Sequence, residues 1–411
     1  RRIERVLNRN LITRDRWRKE SGYIYKLGAA RIFFLSGSPT ANVVGATANV
    51  ILECDEAQDV HIAKWDKDFA PMAASTNATK VFWGTAWTSQ TLLARELRAA
   101  QKAEKQDGRR RVFLVNAQEV SEEVPAYKNH VAEQVAKLGR NHPLIKTQYF
   151  CEEIEAEGGM FPQVRMALMQ GCHPAISTPQ EDEIYALLID VAGEDESCLT
   201  DSGEELASPG RDSTALTVVE VDLSSLSDDL IRAPTYRVVQ RYLWTGEKHT
   251  SLYGQLKALA EHWRAHYVVI DATGVGAGLA SFLGKALPGK VLPFVFTSKS
   301  KSDLGWNYLA IIETGRYKEY RAEGLTKQKS LQELFWQQVG NCQMEILEGA
   351  GKLMRWGVPV GRRDPLTGDL VHDDLLISAS LTAVLDEQSW GIAKSKVIKR
   401  RDILSGMSEA F

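Results

Sequence analysis

From residue 183 onward the apolar positions fall into short unbroken runs that end in a carboxylate or a glycine, with amphipathic stretches between them. The clearest run is Glu183-Ile184-Tyr185-Ala186-Leu187-Leu188-Ile189-Asp190-Val191-Ala192-Gly193. Its apolar centre, Tyr185 to Ile189, predicts a strand covered on both faces, with Asp190 at its C-terminal lip. Residues 214–221 and 236–244, rich in β-branched and aromatic side chains, predict two more strands. Tyr267-Val268-Val269-Ile270-Asp271 repeats the first pattern: a buried strand ending in Asp. Residues 291–296 read as an edge strand, because Pro293 has no N–H to give to a ladder. Helical spacing runs through 251–264 (Leu252, Leu256, Leu259, Trp263), 277–287, 303–316 and 327–339. Residues 371–385 open on His372-Asp373-Asp374 and continue as an apolar helix with small residues, suited to lie flat on a sheet. Its acidic first turn is favoured by the helix dipole.

Before residue 183 the pattern is different. Residues 23–27 and 31–38 predict short strands around Gly28, closed by a Gly/Ser/Pro turn. Residues 48–57 form a mostly apolar strand ending in Asp55-Glu56, and Lys80-Val81-Phe82-Trp83 runs into Gly84-Thr85. Residues 91–106 and 126–138 predict helices, and 111–115 another short strand. Residues 144–161 have the mixed character of a connector. The expected domains are 1–150, a connector over 151–178, 179–390 and a basic tail over 391–411. Residues 194–212 are acidic and rich in Ser and Gly, which predicts a solvated loop.

Composition narrows the function classes. Apolar content of 44% and charged content of 25% are ordinary for a globular protein of 411 residues, long enough for two or three domains. A formal charge of −3 carries no global nucleic-acid signature, so such a partner must meet a local basic surface. No apolar run approaches the roughly 20 residues of a membrane span, so no membrane partner is expected. Five cysteines without Cys-x-x-Cys spacing, and histidines without a cluster, favour a reducing compartment and no zinc site. His372 reads as a ligand, a DNA contact or a structural residue.

The carboxylates carry the chemistry. In ATP-driven motors a buried strand delivers an Asp to the Mg²⁺ water shell and a Glu that polarises the attacking water. Asp55 and Glu56 match those roles, and Thr85 stands where such motors sense the nucleotide; a plain strand end is the alternative. The chain nowhere carries Gly-x-x-x-x-Gly-Lys-Ser/Thr, so ATPase activity of this chain by itself is not expected. Lacking an initial Met, it is read as opening in mid-domain, without the front of an ATPase. Asp190, Asp271 and the pair Asp373/Asp374 can converge on one sheet edge. Clustered carboxylates repel one another unless cations neutralise them, and two Mg²⁺ or Mn²⁺ ions about 3.5–4 Å apart suit hard oxygen ligands. Such a pair activates water for in-line hydrolysis of a phosphodiester. Each acid also has a structural reading: Asp190 as a turn cap, Asp271 with Gly274, Gly276 and Gly278 in a glycine-rich nucleotide loop, and Asp373/Asp374 as helix-opening residues.

Together these motifs resemble the large terminase subunit of tailed bacteriophages, the motor-nuclease that packages DNA. Val50 to Ala57 is similar to the family's Walker B strand with its catalytic Glu56, and Phe82-Trp83-Gly84-Thr85 to its coupling motif. Phe161, after Gly158-Gly159, sits where the family's connector enters the nuclease. Asp190, Asp271 and Asp374 resemble the three metal-binding acids of the RNase H-like nuclease, with Asp373 competing for the third place. Asp212 falls where the family often keeps a polar residue. The resemblance implies an α/β chain: a partial P-loop ATPase-like domain, then an RNase H-like domain with a mixed central sheet. It further implies a two-metal endonuclease acting on double-stranded DNA concatemers, with ATP used only in a full-length relative. Expected partners are the portal protein and the small terminase subunit, in a possible ring oligomer in the host cytoplasm. The competing expectations are a catalytically silent DNA- or portal-binding assembly module and a Rossmann-like nucleotide-binding enzyme.

Overall fold

The computed structural model describes residues 2–43, 45–155, 157–192, 213–228, 231–322, 327–347, 351–364 and 368–390. The acidic stretch 194–212 with Asp212, and the basic tail 391–411, lie outside the described residues.

The first part opens with helix α1 (Arg2–Arg9) and an antiparallel meander of β1 (Trp17–Glu20), β2 (Ile24–Leu27) and β3 (Ala30–Phe33). Strand β4 (Ile51–Cys54) pairs in parallel with β5 (Thr79–Phe82). Between them, α2 (Ile62–Lys64) continues through a π turn, Trp65–Phe69, and a 3-10 turn, Ala70–Ala73. Trp65, Phe69, Met72 and Leu92 close a small core beneath β4. Four helices follow: α3 (Leu92–Asp107), α4 (Ala117–Glu123), α5 (Pro125–Leu138) and α6 (Pro143–Phe150). Helix α3 starts where Thr91 Oγ1 accepts from Ala94 N (3.2 Å) and stops at Gly108, whose φ of +72° suits glycine. The strand expected over 111–115 does not form. The segment has no regular pairing, and Phe113 and Val115 are 71% and 65% exposed. Its β-branched and apolar residues fit a strand, but among the described residues no sheet edge meets it, and propensity without a ladder or a covered face makes no strand.

The segment expected as a connector is folded into the second part. Strand β6 (Glu157–Gly159) pairs with β13 (Gln343–Ile346), which also pairs with β14 (Met354–Gly357). After β6, α7 (Gln163–Met169) ends in Met169, which joins Met160 and Phe161 in the main core. The central sheet has six strands in the order β11-β10-β7-β8-β9-β12: β7 (Tyr185–Asp190), β8 (Ser213–Asp222), β9 (Thr235–Thr245), β10 (Tyr267–Asp271), β11 (Val291–Phe294) and β12 (Tyr317–Lys318). β7, β10 and β11 run parallel, and β8 is antiparallel to both β7 and β9. β11 is an edge strand, as Pro293 requires.

The sheet is covered on both faces, which is why β7 and β10 read as continuous apolar runs. Ala186, Leu188 and Val269 face α10 (Ser298–Glu313), α11 (Lys327–Asn341) and α12 (Asp374–Ser380) in one core. Tyr185, Leu187, Ile189, Val268 and Ile270 face α8 (His249–His262) and α9 (Gly276–Ala286) in the other. A last helix, α13 (Thr382–Asp386), continues from α12. Val238 and Val239 pack into opposite cores, as successive strand residues do, and a bulge interrupts the pairing beside them at Val218/Val219. Beyond it Arg241 is fully buried, bonded to Thr217 Oγ1 (2.8 Å) and paired with Glu319.

Candidate functional site

Parallel pairing of β7 and β10 sets Ile189 beside Ile270, so Asp190 and Asp271 leave the sheet as neighbours at one edge. β8 begins at the same edge, where Ala215 stands opposite Asp190. Asp374, in the first turn of α12, arrives from the covering layer and accepts from Ser213 N (3.2 Å), the first residue of β8. One turn further on, the buried Ser378 bonds through Oγ to Leu188 O (2.8 Å) and Thr217 Oγ1 (2.9 Å). Those contacts fix how α12 sits across β7 and β8. Asp190, Asp271 and Asp374 are therefore gathered by two strand ends and one helix start.

Each acid is held differently. Asp271 is buried, and its Oδ1 accepts from Thr273 N (2.8 Å). Thr273 Oγ1 in turn accepts from Phe296 N (2.8 Å). Of the glycines after Asp271, Gly276 answers to backbone geometry: a Cβ there would lie 2.5 Å from Asp271 O, so only glycine lets α9 start so close to β10. Asp373 precedes α12 and makes no side-chain cap. Its Oδ2 accepts from Val358 N (3.3 Å), just beyond β14. Of the competing pair, Asp374 is the buried one and the one joined to β8.

The electrostatics of the edge favour positive charge. Burial raises the Asp190 carboxyl well above the ordinary range, and Asp374, Asp271 and Asp373 push it further; Lys301 opposes them. Burial also raises Asp271, against the Thr273 hydrogen bonds that lower it. Carboxylates that resist ionisation for want of positive charge form a donor set suited to hard divalent cations. As the side chains stand, no three His, Cys, Asp or Glu among the described residues are close enough together to hold an ion.

The second expected group lies in the first part. Glu56 has φ +47°, and its Oε2 accepts from Gln58 Nε2 (2.5 Å). Gln58 Oε1 accepts from Thr85 N (3.2 Å), so Gln58 joins Glu56 to Thr85. Asp55 Oδ1 accepts from Glu56 N (3.1 Å). A Cβ on Gly84 would lie 2.1 Å from Gln58 Oε1, so a side chain there would push Gln58 from its place between Glu56 and Thr85. The sequence reading named Asp55, Glu56 and Thr85 but missed Gln58. It likewise missed Ser213, Ser378 and Lys301, whose relation to the acids is set across the fold. A polar residue inside the apolar run of 375–385 was the one available signal for Ser378.

Residues 202–336 match the family model described as "Terminase RNaseH-like domain". The matched residues include β8 to β12 of the mixed sheet that carries helices on both faces. Asp271 lies within the matched residues; Asp190 and Asp374 lie outside them. Over 81 residues, 20% of the chain, it is 28% identical to "Probable terminase, ATPase subunit" of Haemophilus phage HP1, and this stretch is 13% of that protein's length. Similar solved structures include the large terminase nuclease of thermophilic phage G20c, at 18% identity, covering 56% of this chain and 99% of that one with a TM-score of 0.37. The large terminase of a second thermophilic bacteriophage is 11% identical, covering 92% of this chain and 83% of that one with a TM-score of 0.44.

Proposed function

We propose that this chain, which carries the RNase H-like domain of a large terminase subunit, is a divalent-metal-dependent endonuclease that hydrolyses phosphodiester bonds of double-stranded DNA concatemers. The observation that carries the reading is the gathering of Asp190, Asp271 and Asp374 at one sheet edge, where burial and mutual repulsion oppose their ionisation. These three are the proposed ligands of two Mg²⁺ or Mn²⁺ ions. Asp373, turned toward Val358 N, is the lesser candidate. Bound ions would activate the attacking water and stabilise the leaving oxygen. The protein's part is to keep the acids oriented, through Thr273 N on Asp271 and Ser213 N on Asp374.

Asp55, Glu56 and Thr85 are proposed as part of a nucleotide-handling site that works only with a phosphate-binding loop, which this sequence does not contain. The proposed setting is the host cytoplasm, with a portal protein and a small terminase subunit as partners and a ring as the packaging assembly. Among the described residues no helix is long and apolar enough to cross a membrane.

Cleavage of supercoiled plasmid by the purified chain in Mn²⁺ tests the nuclease reading. The parent is expected to nick and linearise, with the activity lost on chelation. Asp190→Ala and Asp271→Ala are each expected to lose about a hundredfold or more, as for groups acting on the reacting centre. Variants that cut like the parent would remove the site assignment. DNA binding without metal-dependent cutting would favour an assembly module.

A further inference from the structure

Lys301 stands apart from Lys299, the other basic residue of its helix. It occupies the first turn of α10, whose start is fixed by a capping box: Thr297 Oγ1 accepts from Ser300 N (3.0 Å), and Ser300 Oγ accepts from Thr297 N (2.7 Å). That turn is pinned to β14. Trp356 Nε1 donates to Lys301 O (2.7 Å), and Met354 N donates to Ser302 Oγ (2.9 Å). Close approach is possible because residue 305 is glycine, where a Cβ would lie 2.4 Å from Trp356 Nε1. The Lys301 ammonium lies 5.4 Å from the Trp356 ring centroid, on the ring face. At Gly357, a Cβ would lie 2.7 Å from Asp373 Oδ2 and 3.6 Å from Lys301 Nζ, so both groups border that glycine. Two residues earlier, Lys299 extends into solvent and pairs with Asp303 on its own helix. Lys301 is instead partly buried, with its ammonium beside Gly357, which Asp373 Oδ2 also borders, and its charge is felt at Asp190.

We propose that Lys301 is a substrate-contacting residue whose ammonium takes a non-bridging oxygen of the phosphodiester at the Asp190/Asp271/Asp374 site. The proposal rests on the nuclease reading above. Charge balance decides between this role and simple neutralisation of the acids. When ionised, Asp190, Asp271, Asp373 and Asp374 with Lys301 sum to −3. Two divalent cations bring the sum to +1. With ions in place the acids no longer need Lys301, and its ammonium opposes metal binding. It becomes favourable again when an anion enters, and the anion that this site is proposed to receive is a phosphodiester. A Lys ammonium binds phosphate as a point charge, without the bidentate geometry of Arg.

The test uses the full chain with Lys301→Met, Lys301→Arg and Asp190→Ala. Mn²⁺ affinity is read from thermal shifts with the metal alone. DNA binding is read with a short duplex in Ca²⁺ over a range of salt, and cutting with supercoiled plasmid in Mn²⁺. Lys301→Met is expected to bind Mn²⁺ as tightly as the parent or more so. It should lose about tenfold or more in kcat/KM, as for one charged hydrogen bond. Its log K against log salt slope should fall by about one phosphate contact. Lys301→Arg should recover part of the cleavage, and it carries the test if Lys301→Met fails to fold. Cleavage by Lys301→Met within about twofold of the parent, with Asp190→Ala inactive, overturns the Lys301 assignment only. So does a deficit that extra Mn²⁺ fully restores. A parent that cuts no better than Asp190→Ala overturns the nuclease reading, and this proposal with it.

Discussion

Asp190 is half-hidden at the end of a strand whose other residues are all buried, and that position governs its chemistry. Its carboxyl is raised above the ordinary value by burial first and by its acidic neighbours second. A raised folded value means that, between about pH 3.9 and that value, the native state holds a proton that the unfolded state has released. Metal-free stability therefore falls as pH climbs through that window. Asp190→Asn, which has no charge to lose, is expected to melt above the parent at pH 7–8 without divalent ions. The difference should shrink toward pH 4. Mn²⁺ should raise the melting temperature of the parent and leave the variant nearly unmoved. Differential scanning fluorimetry across pH, with and without Mn²⁺, checks both signs.

The elements are joined by polar groups that no local pattern marks. His142 caps α6 by accepting from Leu144 N at Nδ1 (3.2 Å), which leaves Nε2 to donate to Trp306 O in α10 (3.1 Å). The ring ties the first part of the chain to the second in its neutral form, and burial lowers it to about 4. Stability from a depressed value is present above the unfolded value near 6.5 and lost as pH falls through the folded one. The loss is on the order of 3 kcal/mol at about 1.4 kcal/mol per unit. His142→Asn keeps a capping acceptor and should show a flatter fall in stability between pH 7 and pH 4.5 in urea titrations. The sequence showed His142 only as one of several scattered histidines. Its partner in α10 is 164 residues away.

At the scale of the whole molecule, two acidic groups lie in two parts of one chain. The first, Asp55 and Glu56, is linked through Gln58 to Thr85. The second gathers at the sheet edge. Triphosphate binding needs a cradle of backbone amides in addition to a carboxylate pair. This chain alone is therefore expected to give no Mg²⁺-dependent ATP turnover above a Glu56→Gln control in a phosphate-release assay, while metal-dependent DNA cleavage proceeds without ATP. The segments expected as separate parts share a core: Trp87, from the first part, packs with Met160, Phe161 and Trp306. That sharing was hidden in the sequence, because a single Trp between two polar stretches has no period.

The sequence by itself determined the strands that end in Asp190 and Asp271. An apolar run of five residues can be satisfied only inside a sheet covered on both sides, and a carboxylate can follow it only at the rim. It also determined a helix opening on the acidic pair Asp373/Asp374 and the edge position of β11, since Pro293 withholds a ladder donor. Tertiary structure decided what these ends meet. Parallel register set Asp190 beside Asp271, Ser213 N donates to Asp374 and Val358 N to Asp373, and the packing of α10 on β14 brought Lys301 to the same edge. Those relations join residues 15 to 161 positions apart, and a local pattern records only what each residue needs from its immediate neighbours.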